Sequence, residues 1–399
     1  MTSQNAGTKT AIIALSTFIG LGMTGGLLGL AWPSMQKDFN LSLDSVNVLL
    51  LVTTAAYSVS GFFIGRLMSR FGSSTMLIVG MGLLGVGLFG TAASSAWVTV
   101  VAIGLVFGLG SGIVDAGLNL YVATYHSPRQ MNWLHACFGL GLVLGPLIMT
   151  FVLQHQMKWQ TGYAVVGGVM IAFLLLIIVT RGLWRTEGFQ TAENKPVLKA
   201  SFSESLRTPA VLLSMATFLI YVGTEIGIGQ WAYTLLTQSR GIDPSVAGPW
   251  VSVYWGTFTG GRVFFGIIAN RFETKAILRF CMVTLILGAF ALWWNPIPMI
   301  GLAGLVIVGF AQAPIFPMLM SDTGKRVGMP HAENTISLQM GAVGIGAAIL
   351  PGLIGTIGKN TGLEAMAASF VVMAIGIFIC YELTLLRRLQ QPALSSVAD

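Results

Sequence analysis

The chain has little charge. Only 9% of its 399 residues are Asp, Glu, Lys or Arg, where a water-soluble domain carries about 25%. So few charges cannot cover a water-facing surface, and this excludes an ordinary soluble fold. Cysteine is also scarce. Cys137, Cys281 and Cys380 all lie inside apolar runs, which excludes a disulfide framework. The four histidines are scattered, with no metal-ligand spacing among them. No Gly-x-x-x-x-Gly-Lys-Ser/Thr loop occurs, since Gly358-Lys359-Asn360 lacks both the upstream glycine and the hydroxyl, so hydrolysis of ATP is not expected. No polar segment is long enough for a separate catalytic domain, and no nucleophile or metal constellation stands out. The chain therefore reads as a non-enzyme that needs no cofactor.

What is present is apolar. Hydrophobic residues make up 54% of the chain, and 50 residues are glycine, a residue more frequent in membrane helices than in soluble ones. A span needs roughly 20 mostly apolar residues. Such runs lie at 10–32, 46–66, 73–93, 98–122, 133–153 and 161–183. A polar stretch, 184–208, separates them from six more at 209–236, 246–268, 276–294, 298–320, 334–356 and 363–386. The first run ends without a small-residue cleavage site, so it reads as a membrane helix and not as a removable signal. The expectation is an all-α membrane protein of twelve spans. Its organisation would be a six-helix half (1–183), a cytoplasmic linker (184–208) and a second six-helix half (209–399).

The formal charge of +7 would suggest a nucleic-acid partner in a soluble protein. Here the basic residues sit at the ends of the runs and set orientation instead. With the N-terminus placed in the cytoplasm, only Lys37, Lys158, Arg240 and Lys359 of the 21 Lys and Arg fall on the outer side. The positive-inside rule then puts both termini in the cytoplasm. The expected setting is a cell membrane, a bacterial inner membrane, with the lipid bilayer as partner and no nucleic acid.

The two halves repeat. After the second run the chain reads Gly65-Arg66-Leu67-Met68-Ser69-Arg70-Phe71-Gly72. After the eighth it reads Gly266-Ile267-Ile268-Ala269-Asn270-Arg271-Phe272. Both follow Gly-x-x-x-(polar)-Arg-Phe at the same place in each half. Parallel six-helix halves of this kind are a known transporter plan.

These segments resemble the Gly-x-x-x-Asp-Arg-x-Gly signature of the major facilitator superfamily, with Ser69 and Asn270 where that signature has Asp. The resemblance implies two six-helix bundles around a central site that opens alternately to each side. It also gives Gly65, Arg66, Arg70, Gly266, Asn270 and Arg271 a gating role on the cytoplasmic side, with a weaker or differently built lock. Asp115-Ala116-Gly117-Leu118-Asn119, Asn132-Trp133-Leu134-His135, Tyr221-Val222-Gly223-Thr224-Glu225 through Trp231, and Gly261-Arg262 look like the fucose permease family of sugar–proton symporters. That likeness implies import, a proton-coupling role for Asp115, and action as a monomer. The fucose-specific member carries an acid late in its first helix, where this chain has Gly29, four residues before Pro33.

Of fourteen acids, only Asp115 and Glu225 lie well inside a run. Charge at membrane depth is costly and usually faces a bundle interior or a water-filled cavity. Both are therefore candidate proton-coupling groups. Asn119 shares a helix face with Asp115, and Tyr221 shares one with Glu225. Together with His135, Gln230, Trp231 and Gln312 they form the candidate solute site, because amides and carboxylates fix hydroxyls while aromatic faces cover C–H surfaces. Each has a plainer reading as well: a structural hydrogen bond for Asp115 and Asn119, packing for Trp231, a satisfied core residue for His135. Arg262 reads first as an interface anchor or structural ion pair, and second as a partner for an acid or an anionic substrate. Glycines four apart, Gly22 with Gly26, Gly104 with Gly108 and Gly112, Gly141 with Gly145, and Gly256 with Gly260, read as helix-packing seams.

The resulting expectation is a proton-coupled symporter of a small polar solute, a sugar or polyol. A proton-driven exporter of drugs or metabolites and a carrier of organic anions stand as alternatives. A receptor or an intramembrane enzyme finds no support in the residues.

Overall fold

The computed structural model describes residues 3–126, 128–184, 200–268 and 271–389, and among these all regular structure is helical. The helices are α1 (Ser3–Gly25, resuming as Leu27–Asp38), α2 (Val46–Phe71), α3 (Ser73–Ala93), α4 (Trp97–Tyr125), α5 (Pro128–Gln154) and α6 (Trp159–Val179). After the connecting segment come α7 (Pro209–Thr234), α8 (Pro244–Ile268), α9 (Thr274–Trp294), α10 (Pro298–Gln312, resuming as Ile315–Ser321), α11 (Ala332–Thr361) and α12 (Glu364–Leu389). Eleven of these are long and apolar enough to cross a membrane. The twelfth, α8, has 25 residues and packs between α5 and α10 as a span would.

Helices are the form these runs must take, because backbone N–H and C=O groups facing lipid have no other partner. The punctuation is local. Pro209 and Pro298 open α7 and α10, where the missing N–H would have no helical partner anyway. Asp243 caps α8 by accepting from Ser245 N at 2.8 Å, and that hydrogen bond holds its carboxyl below the usual range. The turn from α2 to α3 is made by Gly72 at φ +84°, whose N–H returns to Met68 O at 2.9 Å. That explains the last glycine of the first repeated motif, since few side chains tolerate this backbone.

The repeat is visible in who packs on whom. In the first six helices the main pairs are α1 with α5, α2 with α4, α3 with α4, and α3 with α6. In the second six the same four pairs recur, α7 with α11, α8 with α10, α9 with α10, and α9 with α12, and α7 also packs closely on α12, a contact whose first-half counterpart, α1 with α6, is weaker. Adding six to each number of the first set gives the second. The bundles meet through α2 with α11, α5 with α8, and the later part of α1 with α7. A two-fold exchange of halves swaps the first two of these contacts into one another.

The glycine seams on α1, α4 and α5 are close backbone contacts. A Cβ on Gly108 would collide with the carbonyl of Thr53, and one on Gly112 with that of Tyr57. On the other pair, Gly22 meets Phe138 O, and Gly141 and Gly145 meet Ile19 O and Met23 O. Gly256 and Gly260 depart from expectation: neither is closely approached. They instead line an apolar groove of about 590 Å³ between α5, α8 and α10.

One side of the molecule carries the start of α1, the end of α12 and most of the described basic residues; we call it the basic face and the other the opposite face. The bundles touch near the opposite face. Asn47 Nδ2 donates to Gly352 O at 3.0 Å, and Gln154 Nε2 donates to Ser245 O, also at 3.0 Å. At the basic face, the connecting segment ends in a short helix, Phe202–Arg207, whose Ser201 cap accepts from Glu204 N at 3.1 Å. Its start docks on α11, with Asn334 Nδ2 donating to Ala200 O at 2.9 Å. The earlier part of the predicted linker, 185–199, lies outside the described residues.

Candidate functional site

Two carboxylates sit inside the bundles, one in each half. On α4, Asn119 Nδ2 donates to Asp115 Oδ1 at 2.9 Å and to the Asp115 carbonyl at 3.0 Å. From α2, the Tyr57 hydroxyl donates to Asp115 Oδ2. Tyr57 reaches it because the Gly108–Gly112 seam lets the α2 and α4 backbones touch. Tyr57 as a whole is 38% exposed. Sequence reasoning missed Tyr57; the seam that binds the two helices was the signal that could have found it.

In the second half, α7, α8 and α10 converge. Tyr221 Oη donates to Gln312 O at 2.9 Å and lies within hydrogen-bond reach of the Glu225 carboxylate one turn on. Tyr254 Oη, from α8, donates to Gln312 Oε1 at 2.9 Å and to the Glu225 carbonyl at 3.3 Å. Gln312 is the last residue before the break in α10. Pro314 and Pro317 follow it and carry no N–H, so the helical ladder is interrupted there. Half-helices meeting at a membrane-depth site are a recurring transporter feature.

Arg262, on α8, interacts by charge with Glu225 and with His135 of α5. His135 is exposed and lies 6.0 Å, centroid to centroid, from the Phe18 ring. The expected grouping of Tyr221, Glu225 and Gln312 is thus brought together, and Arg262 joins it. Tyr254 joins as well, a residue the sequence did not single out. Among the described residues no contact joins the Asp115 pair to the Glu225 group.

Other candidates are placed differently. Trp231 is fully buried and donates from Nε1 to Pro351 O at 2.8 Å, so in this state it ties α7 to α11. Gln230 is buried with its amide nitrogen unpartnered. Gly65 and Gly266 have open space beside them, and Arg66, Arg70 and Arg271 are exposed at the basic face. Asn270 lies outside the described residues. Arg326, taken from sequence as one more orienting charge, is buried. It donates to Ser214 Oγ at 3.1 Å and to Leu319 O at 2.7 Å, beside Gln339, which donates to the same Ser214 at 2.7 Å.

Twelve long helices in two matched bundles, with polar groups gathered at mid-depth between them, define a multi-pass membrane transporter. The sequence profile of the Major Facilitator Superfamily matches residues 12–338 and again 213–397. The chain belongs to that superfamily.

Its relatives are distant and nearly full-length. The "Bypass of stop codon protein 6" of Saccharomyces cerevisiae is 23% identical, over 89% of this chain and 78% of its own. The "Glucose/mannose transporter GlcP" of Bacillus subtilis is 22% identical, over 92% of each. Among solved structures, a D-xylose-proton symporter superposes with a TM-score of 0.75 at 14% identity, covering 94% of this chain and 96% of that one. The transporter FucP, in an outward conformation, gives 0.63 at 16% identity, covering 95% and 99%. At these identities the structures speak for the fold.

Proposed function

We propose that this chain carries a small polar solute, a sugar, across a cell membrane together with protons. The observation that carries the reading is the pair of mid-membrane carboxylates, each held by neutral hydrogen-bond donors, one in either bundle. A carboxylate is costly in a low-dielectric interior, and a proton removes that cost. The partners of Asp115 are Tyr57 and Asn119, both uncharged. Asp115 is thus suited to bind the coupling proton, and Glu225 is the second group of this kind. Tyr221, Gln312 and Tyr254 supply the hydroxyls and amide that a sugar needs, with Asn119, His135 and Gln230 facing the same task.

In this reading the halves 1–183 and 209–399, joined by 184–208, rock against each other. The basic face is cytoplasmic and so are both termini, in a bacterial inner membrane, and the protein works as a monomer. In this reading the inter-bundle contacts near the opposite face correspond to an inward-open state. The names of GlcP and of the D-xylose-proton symporter support the substrate class and the coupling.

The test is purified protein in liposomes loaded with a pH-sensitive dye, challenged with hexoses, pentoses and polyols. Solute-dependent proton entry that disappears in Asp115→Asn or Glu225→Gln is the expected result. Uptake without proton movement would leave a facilitator. No response to any of the sugars would sink the reading and favour a drug or metabolite exporter.

A further inference from the structure

We propose that Arg262 is a substrate-binding residue and that the preferred cargo carries a carboxylate, making a sugar acid a better substrate than the neutral sugar. This deepens the polar-solute reading and rests on it.

Arg262 lies deep in α8 and is only part-exposed. Among the described residues it forms no hydrogen bond or ion pair, and its Nε is shielded from solvent without a partner. Its described contact is with the Phe258 ring, whose centroid is 4.3 Å from the guanidinium carbon. A guanidinium stacked on a ring uses its face there and keeps its N–H edge free. That edge is a planar fork suited to a carboxylate, which it can hold with two parallel hydrogen bonds. Contrast Arg326, equally basic and more deeply buried, whose guanidinium is occupied by Ser214 and Leu319. Of these two arginines, Arg262 is the one left available.

A second observation points the same way. On α7, α8 and α10, four shielded donors are without partners: Gln230 Nε2, Trp255 Nε1, Arg262 Nε and Gln312 Nε2. Buried donors without acceptors are costly. A ligand rich in acceptor oxygens satisfies them, and a carboxylate supplies two oxygens that only accept. The groups are linked by packing: the Trp255 ring lies 4.9 Å from Tyr254 and 5.7 Å from Phe258.

Glu225 and His135 lie within electrostatic range of Arg262, and Tyr221 and Tyr254 within that of Glu225. When Glu225 is charged it competes for the guanidinium. When it takes a proton, Arg262 is released to the solute's carboxylate. Loss of that proton on the other side returns Arg262 to Glu225 and expels the solute. Proton and anion then bind together without any bond being made or broken beyond the proton transfer itself.

The test is binding to the full-length purified protein, followed by intrinsic tryptophan fluorescence, with glucuronate and glucose as paired probes. Wild type should bind glucuronate about tenfold or more tightly than glucose, the kind of preference a built polar partner gives. Arg262→Gln should lose most of that preference, with the ratio of glucuronate to glucose affinity falling toward one. Arg262→Lys, which keeps the charge and loses the fork, should fall between. Equal binding of the two probes by wild type, or a preference that survives in Arg262→Gln, overturns the proposal. The wild-type comparison decides it even if a variant fails to fold. Glucose-driven proton entry without any advantage for glucuronate removes this inference alone; binding of neither probe removes the sugar reading as well.

Discussion

Lys359 Nζ, near the end of α11, stands 2.9 Å from Asp44 Oδ1, just before α2, and so bridges the two bundles. One turn deeper, Asn47 Nδ2 reaches Gly352 O at 3.0 Å and Thr356 Oγ1 at 3.4 Å. These contacts form a clasp on the opposite face. Both charged side chains are partly exposed, and such a pair contributes at most about 1 kcal/mol. Lys359→Ala should therefore shift the balance of access states toward opposite-face-open by up to about fivefold. Spin-label distances between the ends of α2 and α11 would read this out. An unchanged distribution in Lys359→Ala combined with Asn47→Ala would show that the clasp does not hold that face shut.

The α1–α7 contact closes the same face by a different means. A Cβ on Gly29 would lie 2.6 Å from Gly229 O and 3.1 Å from Gln230 O. Gly29→Ala should cost about 1–3 kcal/mol in the closed arrangement alone, as overpacking does. The variant should fold, yet accumulate in the state open to the opposite face and transport slowly. Wild-type uptake rates from such a variant would contradict it. The same crowding explains why an acid cannot occupy position 29 in this conformation.

Asp115→Asn should abolish accumulation against a gradient while exchange of labelled for unlabelled solute continues, and the uptake that remains should not vary with pH. Tyr57→Phe removes one hydrogen bond to the carboxylate, a bond to a charged group worth about 1.5–3 kcal/mol. It should shift the pH dependence of uptake without abolishing coupling. A pH profile identical to wild type in Tyr57→Phe would show that this contact is not part of the proton site.

Trp231→Phe should lower stability by roughly 1–3 kcal/mol, because the carbonyl of Pro351 then loses its buried donor. Solute affinity should stay near that of wild type. Thermal unfolding in detergent and binding on the same sample separate the two effects. A large loss of affinity without loss of stability would return the indole to the solute site.

Spans were legible because a bilayer demands long apolar runs. The structure starts α3, α7 and α10 at 73, 209 and 298, as read from sequence. The end of α1 was not legible, since the helix continues past Pro33 to Asp38, and packing in a bundle tolerates a proline that an isolated helix would not; α11 runs to Thr361, a turn beyond the expected 356. For the site, Asp115 and Glu225 stood out because charge is rare at that depth. Tyr57 and Tyr254 did not, because a tyrosine in an apolar run looks like any other packed ring until its hydroxyl has a partner. Arg326 illustrates the reverse. Its position after α10 reads as a surface anchor, and only the fold shows Ser214 and Leu319 closing over it.

Close glycine contacts bind each bundle internally, Gly108 and Gly112 of α4 in the first and Gly346 of α11 against Leu219 O in the second, while the bundles meet through helix packing and a few side-chain bonds near one end. Interior packing is then the same before and after the protein turns over, and it cancels from the difference between access states. That difference is left to the contacts between the bundles, among them a handful of weak surface bonds. Lateral pressure or headgroup chemistry in the surrounding lipid, worth no more than those bonds, is enough to set which side is open at rest.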